Sequence, residues 1–244
     1  MIREELVFTA EANTAWFGAD EIATENEAQG NIVAIGADSG EDEWIRLGNA
    51  PSYSGMVYEG GVLYAVTAPL EDGDVRVAAI SATDGEQGWS ESIGPGTSGL
   101  PAFDELHVYV TAGRVVALER ATGEIAWEYE APDASALGAP VVVDDFVATG
   151  SDTGSWFLVD RTEGEDATEV SYCDCPWLGA STDGTLYLAA PELAAYDVTD
   201  LDAESPEPEW TYPVSEGGFT LPVVSQDRVV AGTTSAGIVV AFER

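Results

Sequence analysis

The amino-acid sequence predicts an all-β protein assembled from one repeated unit of four short strands. Helix-like periodicity is scarce, whereas apolar and polar residues alternate in short runs that end at Gly, Asp or Pro. The unit is best formed at residues 114–127, RVVALERATGEIAW, and similar stretches occur at residues 31–44 and 76–89. A four-stranded antiparallel unit of about 40 residues is the period of a β-propeller blade.

An aromatic residue closes five of the units at regular intervals. These residues are Trp44, Trp89, Trp127, Tyr172 and Trp210, and the intervals between them are 45, 38, 45 and 38 residues. A β-sandwich would show no such regularity, so the sequence favours a propeller. Each blade of a repeat protein buries its faces only against its neighbours. The aromatic residues are therefore expected to pack one blade against the next.

The repeats divide the chain into a single domain, residues 1–244, of about six blades. Their expected limits are residues 4–48, 52–93, 99–130, 137–172, 177–212 and 218–244, and the last blade lacks its outer strand. The strand at residues 4–9 is expected to be either the inner strand of the first blade or the missing outer strand of the sixth. Two arrangements follow: a closed six-bladed ring, or part of a larger, eight-bladed ring.

The surface is expected to be strongly acidic. The chain has 45 Asp and Glu residues against 8 basic residues, all of them Arg, and its formal net charge is −37. Because 45% of the residues are hydrophobic and seven are Trp, a disordered chain is excluded. Repulsion between the carboxylates is screened in molar salt, where the Debye length is roughly 3 Å. The composition resembles that of proteins from halophilic archaea, and the absence of basic clusters argues against nucleic acid as a partner.

The sequence shows no signal-peptide pattern and no apolar run of the roughly 20 residues that a membrane helix needs. A membrane span is therefore not expected, and the compartment stays open. The two cysteines, Cys173 and Cys175, are separated by one residue and cannot form a disulfide framework. Free thiols or a local disulfide are the first expectation, and a zinc site is the alternative.

One motif carries a family resemblance. Ala117, Thr122, Gly123 and Trp127 are spaced as Ala-x-x-x-x-Thr-Gly-x-x-x-Trp, and the pattern resembles the tryptophan-docking motif of the pyrroloquinoline-quinone (PQQ) type of propeller repeat. That repeat occurs in quinoprotein alcohol dehydrogenases and in BamB-type outer-membrane assembly lipoproteins, which are exported or lipid-anchored. The resemblance implies a structural docking role for four residues, Trp44, Trp89, Trp127 and Trp210. The pattern is degraded in the fourth and fifth units.

The resemblance offers two functions. The first is a non-enzymatic scaffold that binds a protein, a hydrophobic peptide or a small ligand, as a monomer or through association at an open sheet edge. The second is a quinoprotein dehydrogenase with PQQ and Ca²⁺, which needs a calcium shell, a catalytic Asp and a cationic contact to the quinone. None of these can be matched residue by residue, so the sequence predicts no catalytic residues and no cofactor. A third possibility is that the chain is a non-functional fragment.

Other motifs indicate structure more than chemistry. Residues 94–99 match G-x-G-x-x-G, but a strand follows them instead of a helix, so they predict a connection between blades. His107 is the single histidine and has no Ser, Cys or Asp partner in a known catalytic pattern. Asp200, Asp202 and Glu204 begin like a calcium loop but lack its Gly and its final Glu.

A set of apolar and aromatic residues is expected at one mouth of the central channel. Each precedes the innermost strand of a blade, and the five are Tyr53, Leu100, Leu137, Trp177 and Phe219. Such a rim in an acidic protein predicts a binding mouth for a hydrophobic ligand or peptide. The alternative is that these side chains plug the channel, as is usual in small propellers.

Overall fold

The computed structural model describes residues 6–11, 31–47, 53–67, 74–96, 99–134, 136–165, 167–171, 177–189, 192–199, 207–214, 217–225, 227–234 and 237–243. Within these residues the chain forms twenty-two β-strands and no helix. The strands lie in six antiparallel sheets, and each sheet contains strands that are consecutive in the sequence. The predicted all-β propeller of four-stranded antiparallel blades is confirmed, and each sheet is one blade.

Blade one contains β1 (Leu6–Glu11), β2 (Asn31–Gly36) and β3 (Asp42–Leu47). Blade two contains β4 (Tyr53–Glu59), β5 (Val62–Thr67), β6 (Asp74–Ser81) and β7 (Gln87–Pro95). Blade three contains β8 (Ala102–Phe103), β9 (His107–Thr111), β10 (Val115–Glu119) and β11 (Ile125–Tyr129).

Blade four contains β12 (Val141–Val143), β13 (Phe146–Gly150), β14 (Ser155–Asp160) and β15 (Thr168–Ser171). Blade five contains β16 (Trp177–Thr182), β17 (Thr185–Ala189), β18 (Glu192–Asp197) and β19 (Trp210–Pro213). Blade six contains β20 (Val223–Val224), β21 (Arg228–Gly232) and β22 (Val239–Glu243).

The first strand corrects one expectation from the sequence. β1 pairs along its whole length with β2, from Leu6 opposite Gly36 to Glu11 opposite Asn31. It therefore occupies the position that the second strand takes in a four-stranded blade. It is therefore not the outer strand of blade six, and among the described residues it is the inner edge strand of a three-stranded sheet.

The third and fourth strands of the first three blades share one local geometry. The register shifts by a residue at Ala34/Ile35, Ala79/Ile80 and Ala117/Leu118, which is the same place in each repeat. A tight turn follows, and it ends at a glycine with positive φ in four blades: Gly40 (69°), Gly85 (73°), Gly123 (78°) and Gly164 (71°). A side chain is disfavoured at that φ, which is why the repeat keeps a glycine there.

The core lies between the sheets. Five clusters of buried apolar side chains each join one blade to the next, from blades one and two to blades five and six. Alternate residues of a strand point to opposite faces of its sheet, so one strand supplies two clusters. On β10, for example, Val116 and Leu118 pack towards blade two, while Val115 and Ala117 pack towards blade four.

Candidate functional site

The outer rim of the junction between blades two and three is covered by the indole of Trp89. Its Nε1–H donates a hydrogen bond to the Arg120 carbonyl of blade three at 2.9 Å. The ring lies against Gly123, because a Cβ added to that glycine would come within 2.5 Å of ring carbons. Glycine is therefore required by close approach as well as by its φ. We call this turn glycine and the carbonyl three residues before it the indole site of a blade.

The same contact recurs at two other junctions. Trp44 donates to the Ala82 carbonyl at 3.1 Å and lies 2.8 Å from the Cβ position of Gly85. Trp127 donates to the carbonyl of Arg161, also at 3.1 Å, and lies 2.5 Å from the Cβ position of Gly164. The indole sites of blades two, three and four are thus filled by the preceding blade. Trp210, the fourth tryptophan in the predicted set, contacts the Phe242 ring of blade six at 5.4 Å between centroids.

A second aromatic residue supports the tryptophan at three junctions. Ring centroids are 6.1 Å apart for Tyr64 and Trp89, 5.7 Å for Tyr109 and Trp127, and 6.0 Å for Tyr187 and Trp210. At the first of these, Arg120 Nε donates to the Tyr64 hydroxyl at 3.1 Å and its guanidinium stacks over the same ring. Aromatic pairs and cation–π contacts stabilise beyond simple burial, so these residues strengthen the blade junctions.

His107, the single histidine, belongs to a polar cluster at the junction of blades three and four. The Asp104 carboxylate accepts hydrogen bonds from the backbone N–H groups of Leu106 (2.8 Å) and His107 (2.7 Å) and from the Tyr109 hydroxyl (2.7 Å). The same hydroxyl lies 3.2 Å from the Arg161 carbonyl of blade four. Asp104 therefore caps a turn within blade three and helps to hold the next blade.

Titration in this cluster follows from burial and hydrogen bonding. Burial would raise the pKa of Asp104, but the hydrogen bonds from Tyr109, His107 and Leu106 outweigh it and hold that pKa below its ordinary value. Burial raises the pKa of Tyr109, and its hydrogen bond to Asp104 and the charge of that carboxylate raise it further. The phenol therefore stays protonated and acts as a hydrogen-bond donor. The Tyr109 hydroxyl thus links Asp104 of blade three to the Arg161 carbonyl of blade four.

The five predicted channel-mouth residues have different surroundings. Leu137 and Phe219 are buried, at 7% and 6% exposure, and each forms an isolated bridge, with Ser151 and Thr233 respectively. Leu100 is 53% exposed. Tyr53 is half-buried; burial raises its pKa, and the charge of Arg46 opposes the rise.

The fifth of these residues, Trp177, begins β16 opposite Ala189, and only its backbone lies within the description. The three that pack into a core belong to three separate clusters: Tyr53 with blades one and two, Leu137 with blades three and four, and Phe219 with blades five and six. The described contacts do not bring them into one site. The binding mouth stays a prediction.

Among the described residues, several exposed aliphatic side chains lie together on blade six. Val224, Val229 and Phe242 point towards blade five and pack there. The opposite face carries four aliphatic side chains, Val223, Val230, Val239 and Ala241, which we call the open face. Val223 and Val239 are 69% and 71% exposed.

The register confirms that these residues form one continuous surface. Val223 pairs with Val230, and Val230 pairs with Ala241. Directly opposed residues of an antiparallel sheet point to the same face. No sequence signal marks this surface, because its alternating valines have the pattern of any strand that is covered on both sides.

A surface cavity of about 630 Å³ lies at the junction of blades two and three. Asp84, Glu86, Trp89 and Arg120 are among the residues that line it. Arg120 is already engaged there by the Tyr64 hydroxyl and by the Asp104 carbonyl at 2.6 Å. The tryptophan is likewise bonded across the junction. The cavity is thus a groove beside the contact between Trp89 and blade three.

Other sequence motifs contribute little to a site. In the described parts of the chain, no group of three or more His, Cys, Asp or Glu side chains is placed to hold a metal ion. Cys173, Cys175 and the acidic stretch at residues 200–204 lie outside the described residues. The glycines at 94 and 96 have φ values of 82° and 155° in the connection that leaves β7. None of the described elements is a helix that could span a membrane.

The sequence matches the family described as outer membrane protein assembly factor BamB, over residues 12–91 and 71–170. Together the two matches span well over half of the chain. The chain belongs to this family. BamB from Moraxella catarrhalis has a similar structure, with a TM-score of 0.58 at 16% identity over 89% of this chain and 81% of that protein.

Two further proteins are similar to this chain. The computationally designed Ika8 protein is similar over 90% of this chain and 81% of its own, with a TM-score of 0.58 at 13% identity. Both structural likenesses bear on the fold alone. The serine/threonine-protein kinase AfsK from Streptomyces griseus is 30% identical over 155 residues, which are 58% of this chain and 19% of the kinase. The chain thus spans about a fifth of the length of this curated relative.

Proposed function

We propose that this propeller is a non-enzymatic scaffold that binds another protein through the open face of blade six. The observation that carries the proposal is the exposure of Val223 and Val239, at 69% and 71%. Contiguous exposed apolar surface is characteristic of interaction sites. The BamB family to which the chain belongs is described as an assembly factor, and a binding role agrees with that description.

The edge of the same sheet adds a second means of recognition. Among the described residues, β22 pairs with β21 alone, so one side of β22 is an open edge. A partner strand that pairs with this edge would gain backbone hydrogen bonds and cover Val239 at the same time. The fitting partner is therefore an extended apolar segment, with alternate aliphatic side chains facing the open face.

Photo-cross-linking in the native cells tests this proposal. A photoreactive amino acid at position 239 should capture a partner that the same amino acid at the exposed position Leu106 on blade three does not. The partner is then purified and titrated against the chain. We expect the double variant Val223→Asp/Val239→Asp to bind at least 10-fold more weakly, and the matched control Leu106→Asp/Ile125→Asp to bind as the wild type does. Equal binding by both variants would exclude the open face as the interface.

The quinoprotein alternative is tested in the same preparation. The chain is incubated with PQQ and Ca²⁺, and reduction of an electron-accepting dye is followed with a primary alcohol as substrate. The scaffold proposal predicts no turnover above the rate without protein. Sustained dye reduction that depends on both PQQ and Ca²⁺ would contradict it.

We further propose that the scaffold is adapted to high salt. The net charge of −37 makes the folded state repel itself, and this repulsion is screened as ionic strength rises. The denaturation midpoint in urea should therefore rise steeply between about 0.1 M and 2 M KCl, where the Debye length falls from about 10 Å to less than 3 Å. A midpoint that is independent of KCl would contradict the proposal.

A further inference from the structure

Blade one has the turn of an indole site but no described indole upon it. In blades two, three and four the turn closes with a hydrogen bond from the glycine N–H to a carbonyl four residues earlier, at 2.9, 2.8 and 3.0 Å. In blade one the N–H of Gly40 donates to the Gly36 carbonyl at 2.8 Å. Its φ of 69° lies close to the 71–78° of the other three. The backbone of the site is therefore the same.

The surroundings of the four turns differ. Gly85, Gly123 and Gly164 are buried beneath a tryptophan ring, whereas Gly40 is exposed and no described atom lies within 4 Å of its Cβ position. The equivalent carbonyl differs in the same way. Ala82 is 0% exposed and accepts the Trp44 indole, whereas Ala37 is exposed and no donor reaches it from the described part of the chain.

The face of blade one beside this turn is also apolar. Val33 pairs with Ile45 across β2 and β3, so their side chains share the face that points away from blade two. Ile45 is 51% exposed, and the equivalent residues one position after the docked tryptophan on blades two and three are Ser90 and Glu128. An exposed isoleucine where the interior blades carry polar residues is a second, independent sign of an apolar partner.

We propose that the turn at residues 36–40 of blade one, together with Ile45, is a binding site for a tryptophan presented on a β-strand of a partner polypeptide. The Ala37 carbonyl would accept the indole N–H, and the ring would lie over Gly40. The chemistry of the occupant follows from three copies of the same site within this structure, each of which holds a tryptophan and no other residue type. This site lies at the opposite end of the chain from the open face, so it does not depend on the proposed function.

A second copy of the chain is a poor occupant. Among the described tryptophan side chains, Trp44, Trp89 and Trp127 donate their indole N–H groups within the molecule, Trp210 packs on Phe242 of blade six, and Trp156 is fully buried. Releasing one of them would break a blade junction in the donor copy. The partner we infer therefore carries its own free tryptophan on an edge strand.

The test uses a probe built from this repeat. A cyclised hairpin peptide with the sequence of residues 114–130, which contains one tryptophan, is titrated into ¹⁵N-labelled protein in 2 M KCl to screen the charges of both acidic molecules. We expect saturable changes in the amide chemical shifts of Ala37 and Gly40. The same peptide with alanine in place of tryptophan should bind at least 10-fold more weakly. The absence of saturable shifts at Ala37 and Gly40 would overturn the proposal.

Two variants distinguish binding at this site from non-specific binding elsewhere on the protein. Gly40→Asn keeps a residue that tolerates positive φ but places a Cβ where the ring would lie, so binding should fall at least 10-fold. The matched control is Gly60→Asn, because Gly60 has a φ of 57° and equally open surroundings in another turn; its binding should not change. Equal loss in both variants would overturn the proposal. A contact between Gly40 and Trp16 in the free protein, abolished by Trp16→Phe, would do so as well.

Discussion

Blades three and six contain almost the same strand in different surroundings. β10 reads VVALE and β22 reads VVAFE, and both are third strands of their repeat. Val115 and Ala117 of β10 are 0% exposed because blade four covers them, whereas Val239 of β22 is 71% exposed. Strand sequence therefore sets which face is apolar, and only the next blade decides whether that face becomes core or surface.

The largest effect should come from removing a tryptophan at a covered junction. Trp127 is 8% exposed, packs on Gly164 and donates to the Arg161 carbonyl. Trp127→Ala should lower the free energy of unfolding by about 3–5 kcal/mol, measured by urea denaturation. Ile125→Ala, on the same strand and 40% exposed, is the control and should cost less than about 1 kcal/mol. Equal losses in the free energy of unfolding would mean that the contacts of Trp127 at the junction add no stability beyond that of an exposed side chain.

The two matching valines give the most direct test of the comparison. Val115→Ala removes buried methyl groups and should lower the free energy of unfolding by about 2 kcal/mol. Val239→Ala removes the same groups from an exposed position and should change it by less than about 0.5 kcal/mol. A large loss at Val239 in the isolated chain would show that the open face is already covered in solution.

Substitution of a turn glycine should also lower the free energy of unfolding more at a covered junction than at the exposed turn of blade one, with a smaller difference between the two. Gly123→Ala adds a Cβ at positive φ and forces it against the Trp89 ring, so a loss of about 2–4 kcal/mol is expected. Gly40→Ala suffers the conformational cost alone, about 1–2 kcal/mol. Thermal unfolding of both variants measures the difference. Gly40→Ala being as damaging as Gly123→Ala would indicate that a ring covers the first turn too.

The smallest effect concerns pH. The pKa of Asp104 is depressed in the folded state, so its contribution to stability is present above the unfolded pKa of about 4 and is lost as pH falls through the folded value. Asp104→Asn should therefore destabilise by about 1 kcal/mol at pH 7, with the difference disappearing towards pH 2. Urea midpoints at several pH values provide the measurement. A difference that grows in acid would contradict the assignment.

Local patterns made the repeat predictable from the sequence, because a strand, a glycine turn and a tryptophan strand are encoded within about 15 consecutive residues. Pairing partners were not predictable to the same degree. The alternating apolar run at residues 6–11 is compatible with any position in a blade, and only the paired structure assigns it to the second. The exposure of Val239 was hidden for the same reason, since its strand differs from β10 by one residue.

The candidate sites were even harder to predict from the sequence than the pairing of the strands. Asp104, His107 and Tyr109 lie within six residues of one another, and the D-E-L-H turn would have suggested a carboxylate cap. The contribution of Arg161 comes from the following blade, 52 residues beyond Tyr109. No spacing rule within one repeat reveals such a contact. The indole site of blade one has the Ala, Gly and Trp of the motif, with Ser39 in place of Thr. Only the structure shows that, among the described residues, no tryptophan ring covers its glycine.

The three indole hydrogen bonds all run in one direction, from a blade to the turn of the blade that follows it in the chain. Each unit is thus a donor at one end and an acceptor at the other. A unit duplicated in tandem would meet a matching surface on both sides, and every other junction would keep its contacts. Gene duplication can therefore lengthen or shorten such an array one blade at a time without redesigning any interface, which is a physical route by which one repeat could come to serve proteins with different numbers of blades.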